Sequence, residues 1–327
     1  MKRTLAPALM LLLLAAPHPT KAQPTAKLWR IGWLSAFSAP EEVPWREAFR
    51  QGLQDHGYTE GQNVVVESRW AEGQYDRLAG LATDLVRQRV DVIVAAGTPP
   101  AQAAKKSTAT IPIVFLLIAD PIAQGLVTSL ARPDGNATGL ASTAGPEIYG
   151  KLLELLKEAV PGVTRVALLW NPASPFGALF LREVEIAARS LGVQVKLLEA
   201  SRPEAFEDAF GAATRERVGA LVVTPGMMFL AHRARLADLA ASSRLPAVYG
   251  IREHAEAGGL MAYAADFTDL YHRAGGYVAK ILRGAKPGNL PVERPITFEF
   301  IVNAKTARAL GLQLSPSLLL RANKVIR

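Results

Sequence analysis

The sequence predicts an α/β fold: two Rossmann-like lobes, each a parallel sheet covered by helices, joined by a hinge of several chain passages. Three observations carry that prediction. Short apolar runs rich in β-branched residues recur along the chain, and each is followed by a stretch of helical periodicity. Runs such as Val92-Ile93-Val94 and Val114-Phe115-Leu116-Leu117 are apolar at every position, as in a strand buried on both faces. The alternation also occurs twice, in a chain whose ~300 residues beyond the N-terminal segment exceed one comfortable core.

The N-terminal segment reads as a signal peptide over residues 1–22. Lys2 and Arg3 precede an apolar run from Leu5 to Ala16, and Thr20-Lys21-Ala22 ends in a small residue suited to cleavage. The run is shorter than the roughly 18 residues a membrane-spanning helix needs. An ordinary buried helix is the competing reading, but the basic start and the abrupt Pro/Thr/Lys break favour export. Cleavage after Ala22 leaves Gln23 to Ala26 as a short tether. The sequence has no cysteine, so neither a disulfide framework nor a lipid-attached cysteine is expected. The expected location is therefore the periplasm, in freely diffusing, non-lipidated form. Net charge is +8, of which Lys2, Arg3 and Lys21 leave with the signal segment. The remaining basic residues alternate with acids, as at Arg46-Glu47 and Arg182-Glu183, rather than clustering on one arm. That pattern is solvated surface and predicts no nucleic-acid partner.

A first set of strands is expected at Arg30–Ser35, Asn63–Trp70, Val90–Gly97 and Ile111–Ile118. A second is expected at Arg165–Trp170, Val193–Ala200, Ala220–Gly226 and Leu245–Gly250. Between them, Ile148, Leu152, Leu155, Leu156 and Ala159 form a helical stripe, and Trp45, Phe49 and Leu53 form another; both read as core. Ala131 to Pro146 is small and polar, with a turn at Pro133-Asp134-Gly135-Asn136, and is expected to be the first crossing between lobes. Segments after the second set have to go back, through a return crossing near Tyr263 to Phe267 and a helix over 268–283 laid on the first lobe. A proline-rich turn follows at Lys286–Pro295, then a strand at Ile296–Val302 and a short helix from Ala304. The last segment either closes the hinge or sits on the second lobe. The resulting division is 27–139 plus 266–290 for lobe 1, and 140–265 plus 291–327 for lobe 2.

In open parallel sheets ligands sit beyond the carboxyl ends of the strands, where helix N-termini offer free N–H groups. Gly97-Thr98-Pro99-Pro100 carries strong helix-start signals, so Thr98 and Pro99 are candidates to hold a carboxylate, the competing role being a plain cap. Asp120 and Asp266 are candidates for an ammonium group, and Asn171 can hydrogen-bond either end; Asp120 and Asn171 are also good turn residues. Ser35, Phe37, Thr224, Tyr249 and Tyr263 complete the rim, with Phe37, Tyr249 and Tyr263 packing an apolar side chain. Enzyme signatures are missing: no Gly-x-Ser-x-Gly elbow, no Walker loop, no Gly-x-Gly-x-x-Gly after a strand, no thiolate. The five histidines have no zinc-ligand spacing. Neither a cofactor nor a metal is expected.

An ordered set of short stretches spans nearly the whole mature chain. It runs from Phe49-Arg50-Gln51-Gly52-Leu53 and Glu60-Gly61-Gln62-Asn63-Val64 through Gly97-Thr98-Pro99, Ile111-Pro112-Ile113-Val114-Phe115 and Asp120-Pro121. It continues with Asn136-Ala137-Thr138-Gly139, Lys151-Leu152-Leu153-Glu154-Leu155-Leu156-Lys157, Asn171-Pro172, Lys280-Ile281-Leu282-Arg283-Gly284 and Asn303-Ala304-Lys305-Thr306-Ala307. In this set the chain resembles the ABC-transporter substrate-binding proteins of the type I periplasmic-binding fold, in the branch with tryptophan- and tyrosine-binding members. The resemblance implies capture of a small solute, an amino acid or related carboxylate, by a monomer. It further implies docking of the closed form on an ABC permease in the inner membrane, with no catalysis. Two departures stand out: Pro100 follows Pro99 where the family has Thr-Pro-Ala, and the anchor cysteine of some relatives is absent. The rival readings are a ligand-sensing receptor domain working with a separate sensor protein, and an exported α/β enzyme.

Overall fold

A computed structural model describes residues 27–143, 148–172 and 177–327. The expected signal segment, its tether and parts of the expected first crossing lie outside the described residues. The first half runs β1 (Trp29–Ser35), α1 (Val43–Gln54), β2 (Val64–Trp70), α2 (Leu78–Arg87), β3 (Val92–Ala96), α3 (Thr98–Ser107), β4 (Ile113–Ile118) and β5 (Ala137–Ala141). These strands make one all-parallel sheet in the order β2-β1-β3-β4-β5. Both faces are buried. Ile31, Trp33, Val92, Val94 and Val114 pack against α1, and Ile93, Ala95, Ile113 and Phe115 pack against α2 and α3. Strict alternation of adjacent residues between the two cores is what an all-apolar strand is for.

The second half continues with α4 (Ile148–Ala159), β6 (Arg165–Trp170), α5 (Gly177–Leu191), β7 (Gln194–Glu199), α6 (Phe206–Arg215), β8 (Ala220–Val223), α7 (Met227–Ala231), α8 (Arg233–Ser242), β9 (Ala247–Tyr249), α9 (Glu253–Glu256) and β10 (Met261–Ala265). Then come α10 (Phe267–Leu282), β11 (Phe298–Asn303), α11 (Ala304–Ala309), α12 (Pro316–Leu320) and β12 (Lys324–Ile326). The second sheet has the order β12-β11-β10-β9-β8-β6-β7, parallel except where β10 meets β11. Its two faces form separate cores, one under α4 and α5 and one under α6 and α8.

The chain passes between the sheets three times: after β5, between β10 and α10, and between Glu293 and β11. Helix α10 returns to the first sheet and places Leu270, Tyr271, Tyr277 and Val278 in the core beside Trp33 and Phe49. It crosses α1 at two glycines. A methyl group on Gly275 would lie 2.5 Å from the Gly52 carbonyl carbon and the Leu53 nitrogen, and one on Gly52 would run into the His272 carbonyl.

Two differences from the sequence reading have clear causes. The segment taken as the first crossing contains β5, the fifth strand of the first sheet. Its small residues are there for close approach, since a Cβ on Gly139 would collide with the Phe115 backbone. A strap follows its outer edge, with Glu293 N donating to Gly139 O (3.1 Å) and Ala141 N donating to Glu293 O (2.8 Å). The first sheet therefore reaches beyond both residue 139 and residue 290. The C-terminal end adds α12 and β12, too short to show periodicity, and β12 completes the edge of the second sheet.

Candidate functional site

The carboxyl ends of the strands in both sheets open into one cleft of about 680 Å³. The first sheet contributes Phe37 after β1, Thr98 and Pro99 after β3, Leu117 and Ala119 at the end of β4, and Thr143 after β5. The second contributes Asn171 after β6, Thr224 and Met227 after β8, Ile251 after β9, and Tyr263 on β10. Gly97 makes the turn into α3 with φ of 94°, a conformation that glycine alone adopts freely. The prolines at the first helical positions have no N–H to leave unsatisfied. Thr98 consequently sits at the N-terminus of α3, buried at 8 % exposure, and lines the cleft.

Aromatic and thioether side chains line part of the walls, among polar groups that include Ser142, Thr143, Arg202 and His232. Tyr149 stacks on Phe180, Tyr263 stacks on Phe298 at 5.9 Å, and Phe37 leans on Trp45 at 5.8 Å. Burial pushes the Tyr149 phenol upward, partly offset by its hydrogen bond with Thr143, so it is a neutral hydroxyl at physiological pH. Behind the wall, His254 is held down to about 4 by burial. Its neutral ring has a single N–H for the two carbonyls it faces, Phe229 O at 3.2 Å and Ile251 O at 3.3 Å. Glu41 is the carboxylate on the lining among the described residues, and it already accepts from Ser38 N (2.8 Å) and Ser38 Oγ (2.6 Å). A partly polar cleft with a helix N-terminus at one wall and rings at the other suits a solute with an anionic end and an apolar body.

Over residues 33–326 the sequence matches the family described as ABC transporter substrate binding protein. The chain belongs to this family. As an ABC transporter substrate-binding protein it binds rather than converts its small molecule. It is 24% identical over 298 residues to a tyrosine-binding protein of Clostridioides difficile (strain R20291), covering 91% of this chain and 85% of that one. Among solved structures, it is similar to a Streptococcus pneumoniae ABC domain in complex with L-Trp, with 27% identity and a TM-score of 0.84 over 91% of this chain and 99% of that one. A conserved domain protein from Vibrio cholerae superposes with a TM-score of 0.85 at 25% identity, covering 91% and 100%. The two-sheet architecture is that of the type I periplasmic-binding fold, as the resemblance implied.

In this substrate-binding protein the cleft brings together Phe37, Thr98, Pro99, Asn171, Thr224 and Tyr263. Four other candidates from the sequence lie off it. Ser35 is fully buried, its hydroxyl donating to Glu42 Oε1 at 2.7 Å. Tyr249 points to the opposite side of the second sheet and stacks on His254 at 4.8 Å. Asp120 accepts from Ile122 N (3.1 Å) and Ala123 N (3.0 Å), closing its own turn. Asp266 caps α10, accepting from Asp269 N at 3.2 Å. Asp120 fills the turn role that competed with ligand binding in the sequence reading, and Asp266 fills a helix-cap role that the sequence reading did not include. Asp266→Ala is accordingly expected to cost about 1 kcal/mol in urea unfolding, and solute affinity measured by calorimetry should stay within threefold. A larger loss of affinity would return Asp266 to the binding set.

Sequence reasoning passed over Tyr149, Phe180, Met227 and Leu117. Tyr149 adjoins the apolar stripe of α4, so periodicity assigns it to the core, and only the meeting of the two lobes reveals its cleft-facing edge. Met227 had a usable signal, because it follows the Thr224-Pro225-Gly226 loop at a strand's carboxyl end.

Proposed function

We propose that the protein is the periplasmic solute-binding component of an ABC importer, exported by cleavage of residues 1–22. An amino acid with a large apolar side chain, or a related carboxylate, occupies the cleft. The observation that carries the reading is the cavity formed where the strand ends of both sheets converge, polar at Thr98, Thr143, Asn171 and Thr224 and aromatic at Phe37, Tyr149, Phe180 and Tyr263. Relatives named for tyrosine binding and for an L-Trp complex support the ligand class. The carboxylate is held at the N-terminus of α3 by Thr98, the prolines that follow it having no N–H to offer, while Tyr149, Phe180 and Tyr263 surround the side chain. Because the solute touches both lobes, it stabilises the closed form by its differential contacts. The closed monomer then docks on an inner-membrane ABC permease.

Calorimetric titration of the purified protein with L-tryptophan, L-tyrosine, L-lysine and glucose tests this. Saturation at about one hundred times Kd adds about 2.7 kcal/mol of stability, so the two aromatic amino acids should raise the melting temperature while lysine and glucose leave it unchanged. Thr98→Val, which deletes one hydrogen bond to a charged group, should weaken the aromatic ligand about tenfold. Equal responses to lysine and tryptophan, or none to either aromatic, would sink the reading.

A further inference from the structure

Leu117 stands out from every other described residue of the first sheet. It has φ of 59°, in the left-handed region, although it is a branched, non-glycine residue inside a strand. The other non-glycine residues with positive φ among those described are Glu72, Arg89, Asp134, Arg217 and Arg244, all outside strands. A leucine in this conformation costs free energy and persists only where its surroundings dictate it.

The pairing of β4 with β5 shows what the conformation does. Leu116 pairs with Leu140 and Ile118 with Ala141, so two steps along β4 match one along β5. Leu117 is the extra residue of a β-bulge, a feature rare in parallel sheets and over-represented beside functional sites. The ladder is intact around it: Gly97 N donates to Leu116 O (2.9 Å) and Ser142 N to Ile118 O (3.0 Å). Along β4 the side chains alternate between the two cores until the bulge, where Leu116 and Leu117 fall on the same face and Ile118 resumes the other. Regular pairing would send Leu117 to the α2 and α3 side with Phe115. The bulge turns it instead to the α1 and α10 side at the sheet's carboxyl edge, where it lines the cleft between Thr98 and Thr143.

We infer that Leu117 is a specificity-determining residue whose isobutyl group limits how deep an apolar group reaches on the first lobe's side of the cleft, and that the bulge exists to aim it there. The inference rests on the cleft being the solute site. It concerns a position that forms no hydrogen bond through its side chain and belongs to no recognised motif.

The test compares wild type, Leu117→Ala and Leu117→Met by calorimetry with L-tryptophan and L-leucine, alongside thermal unfolding of each ligand-free protein. A ring that reaches the floor loses its contact in the alanine variant, whereas a shorter chain does not. The ratio of the two dissociation constants should therefore shift at least fivefold against tryptophan in Leu117→Ala. Leu117→Met, unbranched but of similar volume, should restore the wild-type ratio to within twofold. If both ligands weaken by the same factor in Leu117→Ala, the residue is merely structural and the inference fails. If Leu117→Ala does not fold, the methionine variant decides: its thinner, flexible chain should change the ratio by less than twofold, and a larger change overturns the assignment of depth to volume. Wild type that binds neither probe removes the cleft reading and this inference with it, whereas wild-type binding with unmoved ratios overturns the inference alone.

Discussion

Gly52→Ala is expected to lower the melting temperature of the protein by roughly 6 °C or more, one of the largest losses available from adding a single methyl group. The added carbon has nowhere to go. It meets the His272 carbonyl, and Gly275 on the facing helix is itself packed against the Gly52 backbone. Both sides of the contact are main chain, so no side chain can rotate away, and relief requires α10 to move off α1. Overpacking with flexible neighbours costs about 1–3 kcal/mol; with backbone on both sides the upper end applies, and in a chain of this size 1 kcal/mol shifts the midpoint by about 2–4 °C. Gly80→Ala on the open side of α2, where a Cβ meets nothing within 4 Å, is the control and should be neutral or slightly stabilising. Differential scanning calorimetry reads both; equal midpoints for Gly52→Ala and Gly80→Ala would show that the two helices are not in the contact described.

The second large effect is a dependence of stability on pH that originates at one buried carboxyl group. Glu42 is wholly enclosed near the carboxyl end of β1, accepting from Trp33 Nε1 at 2.9 Å and Ser35 Oγ at 2.7 Å. Burial raises it from the ordinary 4.5 to about 7, against the opposing pull of those two donors and of nearby Arg46, while Glu41 pushes the same way as burial. A carboxyl that is harder to ionise in the folded state than in the unfolded chain makes folding take up a proton. The stability it supports is complete below about pH 4.5 and is lost progressively as pH rises to about 7, after which the loss is constant. One unit of displacement corresponds to about 1.4 kcal/mol, so wild type should lose about 2–3 kcal/mol between pH 5 and pH 8 that Glu42→Gln retains. Glu253, also raised to about 7 chiefly by burial, titrates identically in both proteins and cancels in the comparison. Urea unfolding at the two pH values checks the difference. Parallel slopes for wild type and Glu42→Gln would remove Glu42 as the source.

Much of the architecture was legible from residue pattern because parallel strands leave a simple trace. Val92 to Ala96 and Val114 to Leu116 are apolar on both faces, and the sheet buries both faces. What escaped were features that depend on distant parts of the chain. Ala137 to Ala141 reads as a linker since its side chains are small, yet smallness is what lets Gly139 lie against Phe115. At the site, loops at strand ends were recognisable, and Asn171 and Thr224 reach the cleft from them, while Thr98 reaches it from the first turn of α3 and Tyr263 from within β10. Asp120 and Asp266 failed the same logic because a short acid beside a helix start or turn finds backbone N–H groups closer than any solute. Tyr249 stands at a strand end, but its parity decides its face: Val248 and Tyr249 point to opposite cores, and the tyrosine lies in the one under α6 and α8, stacked on His254.

The return of α10 to the first sheet has a consequence for how the molecule is made. The apolar side chains of β1, β3 and α1 are finished by a helix that lies beyond the whole of β6 to β10 in the chain. A ribosome emitting the chain therefore delivers the first lobe incomplete, with Trp33 and Trp45 still missing the partner that Tyr271 supplies. Contacts this far apart in sequence form slowly. The N-terminal half thus cannot close its own core: the contacts that finish it wait until residues 267–282 have been made.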